Sequence, residues 1–253
     1  MGLLDGKVMF VTGGGEGMGR ADVLLALKEG AKVAFLEYNQ ENANGTIAAA
    51  KEQGLEEPLV FMGDVRTPGF LEGAIDATVE KYGKLDCLVN NIGCFGSYCG
   101  AADVDNDEWD KIMDLNLKAV YRGCHAAVPY MIKNGSGSIV NVSSTAGILP
   151  TKSMGVYGIA KQAVNKLTQD MGLAYGQNNI RINCIAPGLI VTPLEESSPK
   201  DYADALASVI PMQRRGHASE IANAVVWISS DKASYVNGQI LGVDGGLSVY
   251  NAY

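Results

Sequence analysis

The chain is poor in the residues that build metal sites and disulfide frameworks. It has two histidines, His125 and His217, and five cysteines, Cys87, Cys94, Cys99, Cys124 and Cys184. Neither histidine has a metal-ligand neighbour at useful spacing, so no metal is expected. The cysteines are odd in number, scattered and without a Cys-x-x-Cys pair, which points to free thiols in a reducing compartment. No run of 18 apolar residues exists, so no membrane-spanning helix is expected. The segment Met1–Lys7 lacks the apolar core of a secretory signal, and Gly6 stands where a myristoylation pattern needs Ser or Thr. A soluble cytoplasmic protein is the expectation. Runs of Lys and Arg and aromatic–basic stripes are missing too. With 20 basic against 28 acidic residues the net charge is −8, a balance that repels phosphate backbones and argues against nucleic-acid binding.

What is present is an ordinary globular balance, with 47% hydrophobic residues in 253. That length suits one large α/β domain, 1–253, better than two well-formed ones. Short Val- and Ile-rich runs mark candidate strands at Lys7–Thr12, Lys32–Leu36, Leu59–Met62, Cys87–Asn90, Ser138–Val142, Arg181–Ile185 and Gln239–Val243. They carry little polar alternation, as strands covered on both faces do. Helix-length segments lie between them near 18–29, 40–53, 67–82, 107–133, 154–177 and 218–230, with Asp107 and Ser219 as capping or first-turn residues. Strand and helix alternating along the whole length predicts a Rossmann-type, doubly wound, seven-stranded parallel sheet with helices on both faces. The least regular stretch, 188–216, contains Pro193, Pro199 and Pro211 and reads as a substrate lid.

After the first candidate strand comes Thr12-Gly-Gly-Gly-Glu-Gly-Met-Gly19. Glycines there let the backbone approach a pyrophosphate, and the helix that follows aims free N–H groups at it. Glu37 ends the next strand, 18 residues past Gly19, close to where a carboxylate binds the adenosine ribose diol. Such a carboxylate favours NAD(H) and repels the 2′-phosphate of NADP. Further on, Tyr157 and Lys161 are four apart, on one face of a helix, with Ser144 thirteen residues upstream. An ammonium beside a phenol favours phenolate and suits the phenol to proton transfer at a substrate oxygen.

In this order and spacing the motifs resemble those of a classical short-chain dehydrogenase/reductase over nearly the full length. Thr12–Gly19 is similar to that family's Thr-Gly-x-x-x-Gly-x-Gly loop, with Gly13, Gly17, Met18 and Gly19 on the cofactor. Asp64-Val65 resembles its adenine-contacting pair. Asn90-Asn-Ile-Gly93 resembles its Asn-Asn-Ala-Gly motif, with Ile92 in place of alanine and Asn91 and Gly93 beside the cofactor. Pro187-Gly-Leu-Ile-Val-Thr192 resembles the stretch that clasps the nicotinamide, through Pro187, Gly188, Ile190 and Thr192. Val243-Asp-Gly-Gly246 is similar to the family's ending. The resemblance implies a tetrad of Asn116, Ser144, Tyr157 and Lys161. In it Tyr157 is the acid–base group, Ser144 orients the reacting oxygen, Lys161 also holds the nicotinamide ribose, and Asn116 carries a proton relay. It implies hydride transfer between NAD(H) and a secondary alcohol or ketone, and a homotetramer.

Other residues are read as structural. Ser143 belongs to the scaffold, Lys118 and Arg122 form a solvated helix face, and His125 lies near a subunit contact. Cys94 and Cys99 are loop thiols, and Arg214 and Arg215 sit at the far end of the lid. The pocket wall is expected from the segments 94–100, 145–153 and 188–216, which supply Phe95, Tyr98, Ile148, Leu149, Met154, Leu189, Leu194, Tyr202, Leu206 and Met212; by the family resemblance Tyr250 or Tyr253 of the tail reaches a neighbour's pocket, with an ordinary packed or frayed terminus as the equal alternative. An apolar wall without clustered cations fits a hydroxysteroid or alicyclic alcohol. The polar lid residues Glu195, Glu196 and Asp201 leave a small diol or sugar open. A non-catalytic NAD-binding sensor is the alternative of another class, disfavoured by the complete tetrad.

Overall fold

Each Val- and Ile-rich run of the sequence forms a strand of one parallel sheet in the structure, a computed structural model that describes residues 2–196 and 200–249, the side chains of Tyr202 and Ala203 excepted. The expectations placed on Pro199, the Tyr202 side chain, Tyr250 and Tyr253 lie outside the described residues. The strands are β1 (Val8–Thr12), β2 (Lys32–Glu37), β3 (Leu59–Met62), β4 (Cys87–Asn90), β5 (Gly137–Val142) and β6 (Ile180–Pro187). After a pair of two-residue strands, β7 (Ile190–Val191) and β8 (Gly216–His217), the last is β9 (Ile240–Val243). The seven-stranded order is β3-β2-β1-β4-β5-β6-β9, every pair parallel, and β7 pairs with β8 beside it.

Helices α1 (Gly17–Lys28), α2 (Gln40–Glu52), α3 (Phe70–Tyr82), α4 (Asn106–Met113), α5 (Ala119–Asn134), α6 (Gly155–Tyr175), α7 (Pro193–Glu196), α8 (Lys200–Val209) and α9 (Ala218–Ser229) surround the sheet. Side chains alternate across each strand and so build two cores. Met9, Val11 and Val89 pack with Val23 of α1 and Val225 of α9. Val8, Phe10 and Leu88 pack on the other face with Ile75 of α3, Val120 of α5 and Val164 of α6. No described helix is long and apolar enough to cross a membrane.

The helix expected over 107–133 is two helices, α4 and α5, joined by a π-helical turn at Asp114–Lys118. Its cause is Asn116, whose Nδ2 donates to the Ile112 carbonyl (3.0 Å) and also to the Cys94 carbonyl outside the helix (3.0 Å). A side chain entering the backbone ladder loosens the turn. Asp107 and Ser219 lie in first turns as expected, but the caps are Asp105, which accepts from the Glu108 N–H, and His217, whose N–H donates to Glu220. The order of the sheet reverses between β1 and β4, and the loops after these strands face one crevice, where ligands of such sheets bind.

Candidate active site

The glycine loop closes β1 onto α1 and is braced from three sides. Asn91 Nδ2 donates to the carbonyls of Thr12 and Gly13 (3.2 Å each), and Thr12 Oγ1 accepts from the Asn91 and Ile92 amides. Asn91 thus shapes the loop from the β4 side. Arg20 Nε donates to the Gly15 carbonyl at 2.8 Å, and Thr46 Oγ1 of α2 lies 3.0 Å from the Gly14 carbonyl. A side chain at Gly19 would run into the Gly13 carbonyl, so the helix can start this close to the strand only with glycine there. α2 and α4 have side-chain caps from Asn39 and Asp105, whereas the α1 N-cap, Glu16, makes none. The first-turn amides of α1 therefore remain available to an anion, the property a pyrophosphate requires.

Glu37 ends β2 against this loop, 5% exposed. Its Oε2 accepts from the Gly15 amide, and its Oε1 from the Tyr38 and Asn39 amides, all at 3.0 Å. The carboxylate is held with backbone donors and presented beside Gly15. Asp64 is engaged by Arg66, through Nε at 3.1 and 3.0 Å and Nη2 at 2.5 Å, and this hydrogen-bonded guanidinium lowers its pKa. Val65 beside it is buried. Arg122 does not belong to a solvated face. It pairs bidentately with Glu72 of α3 and donates to the Val65 and Thr67 carbonyls, fixing the turn after β3. Lys118 does lie on an exposed face, paired with Asp114.

Asn116 and Lys161 meet at Gly93, while Ser144 and Tyr157 line one cavity. Lys161 and Tyr157 share one face of α6, with Lys161 Nζ 5.6 Å from the Tyr157 ring centroid. The ammonium is 2% exposed and donates to the Val142 carbonyl at 2.9 Å; burial pushes its pKa down to about 8. A Cβ on Gly93 would sit 2.6 Å from Asn116 Oδ1 and 3.1 Å from Lys161 Nζ, so glycine leaves the room that these polar ends occupy. Asn116 is fully buried and clasps Cys94, accepting from its N–H at 3.2 Å and donating to its carbonyl. Ser144 follows β5, half-buried, with Oγ accepting from the Ala146 amide at 3.1 Å. Ser143 donates to the Lys161 carbonyl at 3.0 Å and so holds α6 on the sheet, the scaffold role expected of it.

A cavity of about 450 Å³ opens over Ser144 and Tyr157. Pro187, Gly188, Ile190 and Thr192 line it, as does Met18 of α1. Of the expected apolar wall, Phe95, Tyr98, Leu149, Met154, Leu189, Leu194 and Leu206 are in place. Ile148 instead faces outward, and Met212 lines a separate cavity of about 280 Å³ near Gly245. Phe95 meets the Tyr157 ring edge-on, centroids 5.1 Å apart. Its loop is pinned by Asn116 at Cys94 and by Glu108, which accepts from the Ser97 amide and hydroxyl. Lys152, in the expected 145–153 wall, also lines the cavity, and so does Leu247, which no expectation covered although it follows the Val243–Gly246 motif directly. Cys94 and Cys99 are free and outside the lining, and burial raises the Cys94 pKa. Among the described residues no cluster of three or more His, Cys, Asp or Glu is placed to hold a metal.

Fold and site together define a dinucleotide-binding α/β oxidoreductase. A family model described as Enoyl-(Acyl carrier protein) reductase, adh_short_C2, matches residues 13–248. The chain is 36% identical to the 3-oxoacyl-[acyl-carrier-protein] reductase FabG of Thermotoga maritima, over 97% of this chain and 99% of that one. It is also 36% identical to a 7alpha-hydroxysteroid dehydrogenase of Clostridium sardiniense, over 97% and 95%. The crystal structure of levodione reductase superposes with a TM-score of 0.94 at 34% identity, covering 98% of this chain and all of that one. The chain belongs to the classical short-chain dehydrogenase/reductase family, whose members use a nicotinamide cofactor to act on alcohols and ketones.

Proposed function

We propose that the protein is an NAD(H)-dependent dehydrogenase of a secondary alcohol, or reductase of the corresponding ketone, carried on an alicyclic or hydroxysteroid skeleton. The observation that carries this reading is that Ser144 and Tyr157 line one largely apolar cavity, with Lys161 beside the Tyr157 ring and Asn116 meeting Lys161 at Gly93. The cofactor, when bound, supplies or accepts hydride at its nicotinamide C4. Gly13, Gly17, Met18 and Gly19 would hold its phosphates, Asp64 and Val65 its adenine, and Asn91 and Gly93 the stretch between. Pro187, Gly188, Ile190 and Thr192 would hold the nicotinamide end.

In oxidation Tyr157 takes the proton of the substrate hydroxyl, and in reduction it returns one. Ser144 donates to the reacting oxygen and fixes its orientation. Lys161 places a positive charge beside the phenol, favouring phenolate, and holds the nicotinamide ribose. Asn116 positions a relay from Lys161 towards solvent.

Glu37 supports NAD(H) over NADP(H), since an acid held rigidly beside Gly15 accepts from ribose hydroxyls and repels a 2′-phosphate. The hydroxysteroid or alicyclic skeleton is supported by the apolar walls and by the likeness to a hydroxysteroid dehydrogenase. Lys152 is the one cation among the described lining residues, which disfavours a substrate delivered on an acidic carrier. A small diol or sugar is the second reading, favoured by Glu195 in the lining.

The chain acts as one domain, with α7 and α8 as a lid over the cavity. Exposed apolar side chains on α5 (Tyr121, Ile132), α6 (Ile159, Leu173) and α9 (Trp227) support a homotetramer. A light-scattering mass equal to one chain overturns that assembly. The function is tested with a panel of secondary alcohols, steroids included, read at the NADH absorbance band with NAD and NADP compared. NAD-dependent oxidation is expected. Flat traces despite tight NADH binding would return the protein to the sensor class.

A further inference from the structure

The lid carries a carboxylate that the proposed chemistry leaves unused. Glu195, on α7, is 5% exposed and lines the cavity that holds Ser144 and Tyr157. Its amide donates to Thr192 Oγ1 at 3.1 Å, which sets it one turn beyond the residue assigned to the nicotinamide end. Oε2 accepts from Arg215 Nη1 at 3.2 Å, and Arg215 also reaches Asp204 of α8 at 3.5 Å. Oε1 is closed to bulk water and has no hydrogen-bond partner among the described residues. A buried carboxylate oxygen without a donor is costly, and native structures rarely leave one without a reason. Its neighbours in the lining, Leu194 and Leu206, offer no side-chain donor.

We propose that Glu195 accepts a hydrogen bond from a second hydroxyl on the substrate, so that the enzyme selects ring diols over the matching mono-alcohols. This deepens the oxidoreductase reading and rests on it. The reacting oxygen goes to Ser144 and Tyr157, and the ring carbons go to Phe95, Tyr98 and Leu149. A second oxygen then finds a buried acceptor in Glu195 on α7. With Arg215 on its Oε2, Glu195 keeps Oε1 as an acceptor that suits a substrate hydroxyl. Arg215 approaches from outside the cavity lining and engages Oε2 only, so a side-chain adjustment of the kind common on binding brings Oε1 to the ligand.

The test uses the full chain with NAD and measures kcat/KM for cyclohexanol and for each cyclohexanediol positional isomer. Wild type, Glu195→Leu and Arg215→Met are compared, with NADH affinity followed by fluorescence. Wild type should prefer at least one diol to cyclohexanol by about tenfold or more, and Glu195→Leu should lower that ratio by a similar factor. Arg215→Met breaks the same ion pair but keeps the carboxylate, and should preserve the ratio. Turnover of cyclohexanol with no diol preference overturns the inference alone. So does an equal loss of ratio in both variants, which assigns the effect to lid closure. So does a Glu195→Leu variant that loses NADH affinity with the ratio intact, which moves Glu195 to the cofactor. No turnover of any alcohol despite NADH binding overturns the oxidoreductase reading, and the inference falls with it.

Discussion

The Lys161 ammonium lies 5.6 Å from the centre of the Tyr157 ring, while its own hydrogen bond goes to the Val142 carbonyl. The charge is therefore buried next to the phenol rather than spent on an acid, and burial pushes its pKa down to about 8 from 10.5. Below pH 8 Lys161 is charged in both folded and unfolded chains, and the full burial penalty applies. Between pH 8 and 10.5 the folded chain sheds the proton first, so the penalty is relieved as pH rises. Lys161→Met should thus gain most in stability over wild type below pH 8, with the gap narrowing by roughly 3 kcal/mol towards pH 10.5. Urea midpoints of the two proteins across this range check it, and a gap independent of pH would contradict it. The same variant should lose turnover at every pH.

Tyr157→Phe removes the phenol oxygen and keeps the ring that meets Phe95 edge-on at 5.1 Å. Turnover should fall about 10³-fold, the scale of a lost acid–base group, while NADH binding stays within a few-fold. Retained turnover in a folded Tyr157→Phe protein would remove Tyr157 from the chemistry.

The parts of this architecture that the sequence reveals are those written in local periodicity. Val- and Ile-rich runs mark all seven sheet strands, and the four-residue spacing of Tyr157 and Lys161 places both on one face of α6. What stays hidden depends on distant partners. The π turn around Asn116 is invisible because one extra residue barely disturbs helical periodicity, and Cys94, the partner that Asn116 reaches outside the helix, lies 22 residues away. Arg122 reads as a solvated helix residue because its partner Glu72 is 50 positions upstream. The two-residue strands β7 and β8 are too short to carry a pattern, and the outward turn of Ile148 and the displacement of Met212 depend on how their loops pack.

Glu37 accepts from three backbone amides, at Gly15, Tyr38 and Asn39, so its carboxylate is immobile before any ribose arrives. Glu37→Ala should lower kcat/KM with NAD more than with NADP, shifting the ratio by about tenfold or more. Loosening of the loop alone would weaken both cofactors alike, so the ratio isolates the ribose contact. Wild-type protein that already prefers NADPH in a direct rate comparison would overturn this role.

Asp22 lies on α1 with no exposure, and neither carboxylate oxygen has a hydrogen-bond partner among the described residues. Burial alone raises its pKa well above 3.8. Well below pH 3.8 the acid is neutral in both folded and unfolded chains, and its presence costs little. As pH rises past 3.8 the unfolded chain ionises while the folded chain resists, so wild-type stability falls until the folded-state pKa is reached. Asp22→Ala removes the unpaired group and introduces the best helix former. At pH 7 it should stabilise the protein by about 1–3 kcal/mol. The gain should be smallest well below pH 3.8 and grow with pH, read as the difference between urea midpoints of the two proteins. A gain that does not change with pH, or a loss of stability at pH 7, would mean that Asp22 has a partner in solution that pairs its charge.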